Sequence, residues 1–144
     1  MRLNRRLSIG LLGALAAPSL IASAASQDNN IEWDGVFSDT TGNYVTPMEV
    51  TAGANVTLKL RVRSNDLTAA YGRLYYAGPN NVQRTAMTRA TTGTLFDVWS
   101  VTLTIPTNAT AVYYRFELQD GSDTDFYDAG DKADSWTVRG LSLI

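Results

Sequence analysis

The sequence predicts an all-β domain, an immunoglobulin-like antiparallel β-sandwich, preceded by a cleavable signal peptide. Three observations lead there. Beyond residue 30, apolar side chains recur at every second position, the period of a half-buried strand. Turn-forming clusters of Gly, Asn, Asp and Pro separate these runs at short intervals. No window after residue 30 carries an apolar stripe of helical period.

The first segment belongs to export rather than to the fold. Arg2, Arg5 and Arg6 give a basic start, Leu7 to Ile21 is an apolar stretch, and Ala22-Ser23-Ala24 has the small-x-small pattern that a signal peptidase accepts. The stretch is short against the roughly 20 residues needed to span a bilayer, and polar sequence follows at once. Residues 1–24 are therefore expected to be removed, leaving a secreted protein, extracellular or periplasmic, with no membrane partner. The sandwich is assigned to residues 25–140, and 141–144 to the start of a linker or a truncated end.

Along the remaining chain the strands follow in order. Ile31–Phe37 is a short candidate. Val56, Leu58, Leu60 and Val62 alternate with Thr57, Lys59, Arg61 and Arg63. Arg73–Ala77 and Gln83–Ala90 are shorter runs. Trp99, Val101, Leu103 and Ile105 alternate with Ser100, Thr102 and Thr104 until Pro106 stops the run. Val112, Tyr114, Phe116 and Leu118 alternate with Tyr113, Arg115, Glu117 and Gln119. Asp125–Asp128 and Ser135–Arg139 complete the set. The turns fall at Thr51 to Asn55, Gly78 to Asn81, Thr91 to Gly93 and Asp120 to Ser122. Seven or eight short strands of this kind suit two packed sheets. The expected core is Trp33, Leu58, Leu60, Val62, Leu74, Trp99, Val101, Leu103, Val112, Tyr114, Phe116 and Leu118.

Composition narrows the chemistry. The 144 residues include no Cys and no His, which removes disulfides, thiolate nucleophiles, imidazole- or thiolate-bound zinc and any triad with a histidine base. Without the signal segment, nine basic residues face 14 acidic ones, a net charge of −5 that suits neither nucleic acid nor an anionic membrane. Aspartates crowd at Asp28 and Asp34 and again from Asp120 through Asp123, Asp125, Asp128, Asp131 and Asp134. Oxygen-rich clusters of this kind suit Ca²⁺, although the spacing is not that of an EF-hand, and a solvated acidic turn is the plainer reading. A glycosidase pair would need one carboxyl raised in a pocket, and a sandwich this small leaves little room for a cleft. Tyr71, Tyr75, Tyr76 and Tyr113 cannot all point inward. An exposed ring is a platform for the apolar face of a sugar, or else one half of a cross-strand packing pair.

The stretch from Asp28 to Asp39 resembles the start of the N-terminal domain of secreted bacterial α-amylases of the neopullulanase and cyclomaltodextrinase group. Val56 to Arg61 followed by Asn65-Asp66-Leu67-Thr68, then Thr94 to Trp99, Tyr113 to Gly121 and Phe126-Tyr127-Asp128, are similar to later strands of that domain in the same order. The resemblance covers roughly residues 26–139. It implies an immunoglobulin-like starch-binding module preceding a catalytic barrel. It further implies a structural Ca²⁺ held by the side chains of Asp28, Asn30, Asp66 and Asp120 and the carbonyl near Ser26. For sugar it implies Tyr76, with Tyr75 as an alternative, and Tyr113; the family often has Trp where Tyr76 stands, and a smaller ring offers less stacking area. The catalytic Asp and Glu motifs of the barrel do not occur here, so no catalytic residue and no further cofactor are expected in this chain.

The expected function is thus a non-catalytic α-glucan-binding domain of a secreted α-amylase-type glycoside hydrolase, stabilised by Ca²⁺. Its partners would be α-glucan polysaccharide and a C-terminal catalytic barrel. The alternative is a structural spacer that packs on that barrel.

Overall fold

The structure, a computed structural model, describes residues 27–78, 80–128 and 139–144. The signal segment, Ser26, Asp131, Asp134 and most of the Ser135–Arg139 run lie outside the described residues.

Two sheets face each other, as the period-two pattern requires. One has four strands in the order β1 (Val45–Thr46), β3 (Asn55–Arg63), β7 (Phe96–Thr104) and β6 (Thr88–Thr91). The other runs β2 (Glu49–Val50), β10 (Arg139–Leu143), β8 (Val112–Asp120), β4 (Ala69–Tyr75) and β5 (Val82–Ala86), with β9 (Asp123–Tyr127) also paired to β8. β9 and β10 occupy successive halves of the same β8 edge, opposite Phe116–Asp120 and Val112–Tyr114 respectively. The inward phases of β3, β7 and β8 make the core: Val56, Leu58, Leu60, Val62, Trp99, Val101, Leu103, Val112, Tyr114, Phe116 and Leu118 are all buried, as is Leu74 on β4. Gly72 lets the sheets approach at their centre, because a Cβ there would stand 3.0 Å from Val101 Cγ1.

Several sequence expectations are corrected. Ile31–Phe37 is not a strand: it holds a short 3₁₀ turn, Trp33–Gly35, and a lone bridge from Phe37 to Arg61. Its backbone N–H groups at Ile31 and Glu32 are spent on the carboxylates of Asp123 and Asp66 rather than on a neighbouring strand. Trp33 is only partly buried and packs against the core rather than inside it. The Gln83–Ala90 run is two strands in different sheets; buried Met87 sits at the crossover, its N–H donating to Ala70 O. The strand expected at Arg73–Ala77 begins four residues earlier, at Ala69, and ends at Tyr75. The sandwich is not wholly antiparallel, since β10 pairs parallel to β2. Residues 141–143, read as linker or end, are part of that strand.

Candidate functional site

Both β3 and β8 run toward one end of the sandwich, where their following turns bring Asp66 and Asp120 together with the segment 27–32. Asp120 continues the inward phase of β8, so its carboxylate lies under the end of the sheet, fully buried. Asp66 is fully buried too, in a turn whose preceding residue, Asn65, adopts a left-handed φ of 58°. A third buried carboxylate, Asp97, fixes that turn by accepting Asn65 N–H at 2.8 Å and Gly93 N–H at 3.2 Å.

These carboxylates stitch the N-terminal segment down. Asp120 Oδ2 accepts from the N–H groups of Asp28 (3.1 Å) and Asn30 (2.9 Å), Asp123 Oδ2 from Ile31 (2.9 Å), and Asp66 Oδ2 from Glu32 (2.9 Å). Asn29, itself at φ 68°, accepts from Ser122 N–H at 2.9 Å through its side-chain oxygen. Gly121 has φ +58°, and a Cβ there would collide with that same Asn29 oxygen.

In both key carboxylates only one oxygen is used. Asp66 Oδ1 and Asp120 Oδ1 are buried with no hydrogen-bond partner among the described residues. Buried acceptors are nearly always satisfied, so two orphaned carboxylate oxygens at one locus are a charge arrangement waiting for a donor or a cation. The strain registers on Asp66: burial pushes its carboxyl up to about 6, the Glu32 N–H opposes this, and the charges of Asp120, Glu32 and Asp28 push it further up. Asn30 Nδ2 donates to Glu32 Oε1 at 3.2 Å, which leaves the amide oxygen as an acceptor. Among the described residues no three carboxylates converge closely enough to chelate an ion by themselves. An ion at this locus would need Asp66, Asp120 and neutral amide or carbonyl oxygens together, and the orphaned pair fits such an oxygen-only donor set.

The aromatics lie elsewhere. Tyr113 and Tyr75 are directly opposed on β8 and β4, sharing the outer face of the six-stranded sheet. Tyr113 is 44% exposed, but Tyr75 is only 6% exposed and its hydroxyl accepts from Arg115 Nε at 3.1 Å. Tyr75 therefore has little free ring to offer. Tyr76 follows the end of β4 and is half-buried; its carbonyl accepts from Thr110 and Ala111 N–H groups. The structure thus leaves Tyr113 and, in part, Tyr76 accessible, and does not bring either near Asp66 and Asp120 along the strands.

Below that aromatic row stands a network that sequence reasoning missed. Buried Glu117 binds Arg73 (Oε1 to Nη2 2.7 Å) and Arg84 (Oε2 to Nη2 2.6 Å). Burial alone would raise its carboxyl, but the hydrogen bonds from Arg84 and Arg73 outweigh that and hold it below the ordinary glutamate value. Asp97 was missed as well, while Asp123, named only as part of the acidic cluster, accepts the Ile31 N–H. For Asp97 a signal existed: it shares the inward phase of β7 with Trp99 and Val101, where a charge must have partners.

Residues 36–140 match the family of alpha amylase N-terminal ig-like domains. The chain belongs to that family. The matched range includes Asp66, Asp120 and the tyrosines but not Asp28 or Asn30. Among solved structures, a cyclomaltodextrinase is similar to this alpha amylase N-terminal domain with a TM-score of 0.63 and 23% identity, over 77% of this chain and 19% of that one. At that identity the likeness speaks for the fold, and the chain spans about a fifth of the length of that protein.

Proposed function

We propose that this domain is a non-catalytic α-glucan-binding module of a secreted α-amylase-type glycoside hydrolase, stabilised by one structural Ca²⁺. The observation that carries the binding role is Tyr113, an aromatic ring left 44% exposed on a strand whose next two outward side chains, Arg115 and Glu117, are buried. A flat exposed ring offers stacking area to the C–H face of a glucose unit, with the part-exposed Tyr76 as a second contact. A platform this shallow binds weakly, on the order of tens of μM to mM per site. Its use would be to raise the local glucan concentration for a tethered catalytic barrel, since linkage turns a second encounter into an intramolecular one.

Calcium would be held by Asp66 and Asp120 through their orphaned oxygens, with the side chains of Asn30 and Asp28 and the Ser26 carbonyl completing the set. The ion would supply the positive charge that two buried carboxylates lack. The chain's own contribution is to hold the segment 28–32 against both turns with four backbone N–H groups. That role is structural rather than catalytic.

Retention of the purified protein on insoluble starch beside cellulose and chitin, with and without Ca²⁺, tests the reading. Selective retention on starch supports it, and a folded protein that binds none of the three overturns it. The second reading, a spacer packed on the barrel, gains from the burial of Tyr75 and from the arginine that covers Tyr71, with Arg84 Cζ 3.6 Å from that ring's centroid.

A further inference from the structure

The outer face of the four-stranded sheet carries cations and rings but no carboxylate. Lys59, Arg61 and Arg63 point outward on β3, and Phe96, Val98 and Ser100 on β7. The edge strands β1 and β6 add neither Asp nor Glu, and Asp97, the one acid of these four strands, points inward and is buried. The chain as a whole is net acidic, with 14 Asp and Glu against 12 Lys and Arg, so a face of this sign stands apart. Arg63 is neutralised by Asp34 of the flanking segment, Nε to Oδ1 at 3.2 Å and Nη2 to Oδ2 at 3.1 Å. Asp39, on the same segment, accepts from the N–H and hydroxyl of Thr41. Arg61 and Lys59 form no ion pair among the described residues.

Arg61 is nevertheless held in one orientation. Phe37 and Arg61 exchange backbone hydrogen bonds, so their side chains rise from the same face. Phe37 flanks β3 on one side and Phe96 on the other, and the guanidinium lies 5.3 Å from the first ring centroid and 4.3 Å from the second. Tyr44 braces Phe37 edge-on, with centroids 5.3 Å apart. The Nε of Arg61 donates to Gly35 O at 3.2 Å. Ring contacts of this kind offset part of the cost of an unpaired cation and consume ring faces rather than N–H groups. The four Nη–H groups of Arg61 therefore have no acceptor among the described residues. Lys59 stands two residues away on the same face, roughly 6.6 Å along the strand, with the Ser100 hydroxyl directly opposite it. A neutral sugar asks for acceptors as well as donors, whereas guanidinium and ammonium groups only donate. An oxyanion asks for donors alone, and a fixed planar fork beside an ammonium matches a carboxylate or phosphate.

We propose that Arg61 and Lys59, on the outer face of the four-stranded sheet, bind an oxyanion, a phosphate or carboxylate that is free or carried on a saccharide. Phe37, 38% exposed beside them, is the apolar contact for whatever carries the anion. The site lies on the other sheet from Tyr113 and uses neither Asp66 nor Asp120, so it stands or falls without the glucan and calcium readings.

The test is a titration followed by NMR on the Arg61 Nε–Hε signal and on the backbone amides of β3 and β7. Inorganic phosphate, glucose 6-phosphate, glucuronate and plain glucose are added in separate arms, with sodium chloride holding the ionic strength constant. Saturable shifts at Arg61 and Lys59 with any of the three anions, and none with glucose, support the site. Phosphate against glucose 6-phosphate then tells a free anion from a sugar-borne one, and glucuronate tells carboxylate from phosphate. Arg61→Gln should weaken binding about tenfold, the loss of one charge-assisted hydrogen bond. Arg61→Lys keeps the charge without the fork and should weaken it too. Lys59→Gln, a change at an exposed side chain, should weaken it about threefold with the fold intact. Arg84→Gln removes a charge from the other sheet and should leave the affinity at the parent value. The proposal is overturned if no anion moves these signals beyond what chloride does, or if glucose moves them equally. It is also overturned if folded Arg61→Gln and Lys59→Gln bind as the parent does, or if Arg84→Gln loses as much as they do.

Discussion

Asp66→Asn should stabilise the calcium-free protein at pH 8 while abolishing its response to calcium, an inversion that few other substitutions would produce. The Asp66 carboxyl is pushed up to about 6 from 3.8, by burial first and by Asp120, Glu32 and Asp28 after it. A group whose folded pKa lies above its unfolded one contributes stability that is complete below about 3.8 and lost as pH rises through about 6. Linkage puts that contribution at roughly 1.4 kcal/mol at pH 5 and near zero at pH 8. At about 4 °C per kcal/mol for a domain of this size, the calcium-free parent should melt about 5–6 °C lower at pH 8 than at pH 5. Asp66→Asn keeps an oxygen for the Glu32 N–H and carries no charge, so its melting temperature should be flat across that window.

Calcium reverses the slope. An ion at 100 times its Kd contributes about 2.7 kcal/mol, near 10 °C, at pH 8. At pH 5 the proton on Asp66 competes and weakens apparent affinity about tenfold, so the calcium-minus-EDTA difference should shrink. Differential scanning calorimetry of parent and variant at both pH values, with CaCl₂ and with EDTA, reads all of this. The reasoning is refuted if the parent melts identically in calcium and EDTA at pH 8, or if Asp66→Asn keeps the parent's calcium response. It is equally refuted if the calcium-free parent shows no more pH dependence than the variant.

Other expectations follow from the same geometry. Asp120→Ala removes the acceptor of two backbone N–H groups and should cost about 2–4 kcal/mol by urea unfolding, with loss of the calcium response. Gly121→Ala should cost about 1–3 kcal/mol, because φ +58° is strained for alanine and its Cβ would displace the Asn29 side chain; proteolysis should then open the segment 27–32 first. Tyr113→Ala should leave the melting temperature within about 2 °C and weaken mobility retardation in amylose-affinity gels; unchanged retardation removes Tyr113 from the platform. Glu117→Ala removes the carboxylate that Arg73 and Arg84 share and should cost about 3–5 kcal/mol. Because Glu117 is held below its ordinary value, its contribution is present above about pH 4.5 and fades as pH falls below it, which acid titration of the parent and of Glu117→Gln would separate.

The parts of the fold that were legible in the sequence are those where local pattern and tertiary burial agree. β3, β7 and β8 each carry nine residues of alternation, and their inward phases are the core. β1 and β2, at two residues each, have no period to read; their neighbours in the sheet define them. Ile31–Phe37 has strand-like composition, but the carboxylates that take its N–H groups come from a turn 34 residues away and from the start of β9, 92 residues away. Alternation also tells which face a residue points to and not what covers that face. Tyr75 and Tyr113 share one face, yet only Tyr113 is open, because Arg115 reaches the Tyr75 hydroxyl.

β8 makes the division between stability and recognition a matter of single positions. Its inward phase, Val112 to Leu118, is buried core and ends in Asp120, the carboxylate that anchors the N-terminal segment. Its outward phase presents Tyr113, Arg115 and Glu117, the exposed ring followed by the arginine network. A slip of one residue would place Arg115 and Glu117 in the apolar core and Phe116 and Leu118 outside, at several kcal/mol for each buried charge. The paired strands resist that slip from both edges, since β4 aligns with seven residues of β8 while β9 and β10 hold the two halves of its other edge. The register that protects the core is therefore the same one that presents Tyr113 and lines up the arginines. Substitutions that loosen the β8 pairing should lower stability and glucan retention together, whereas Tyr113→Ala should weaken retention and leave stability in place.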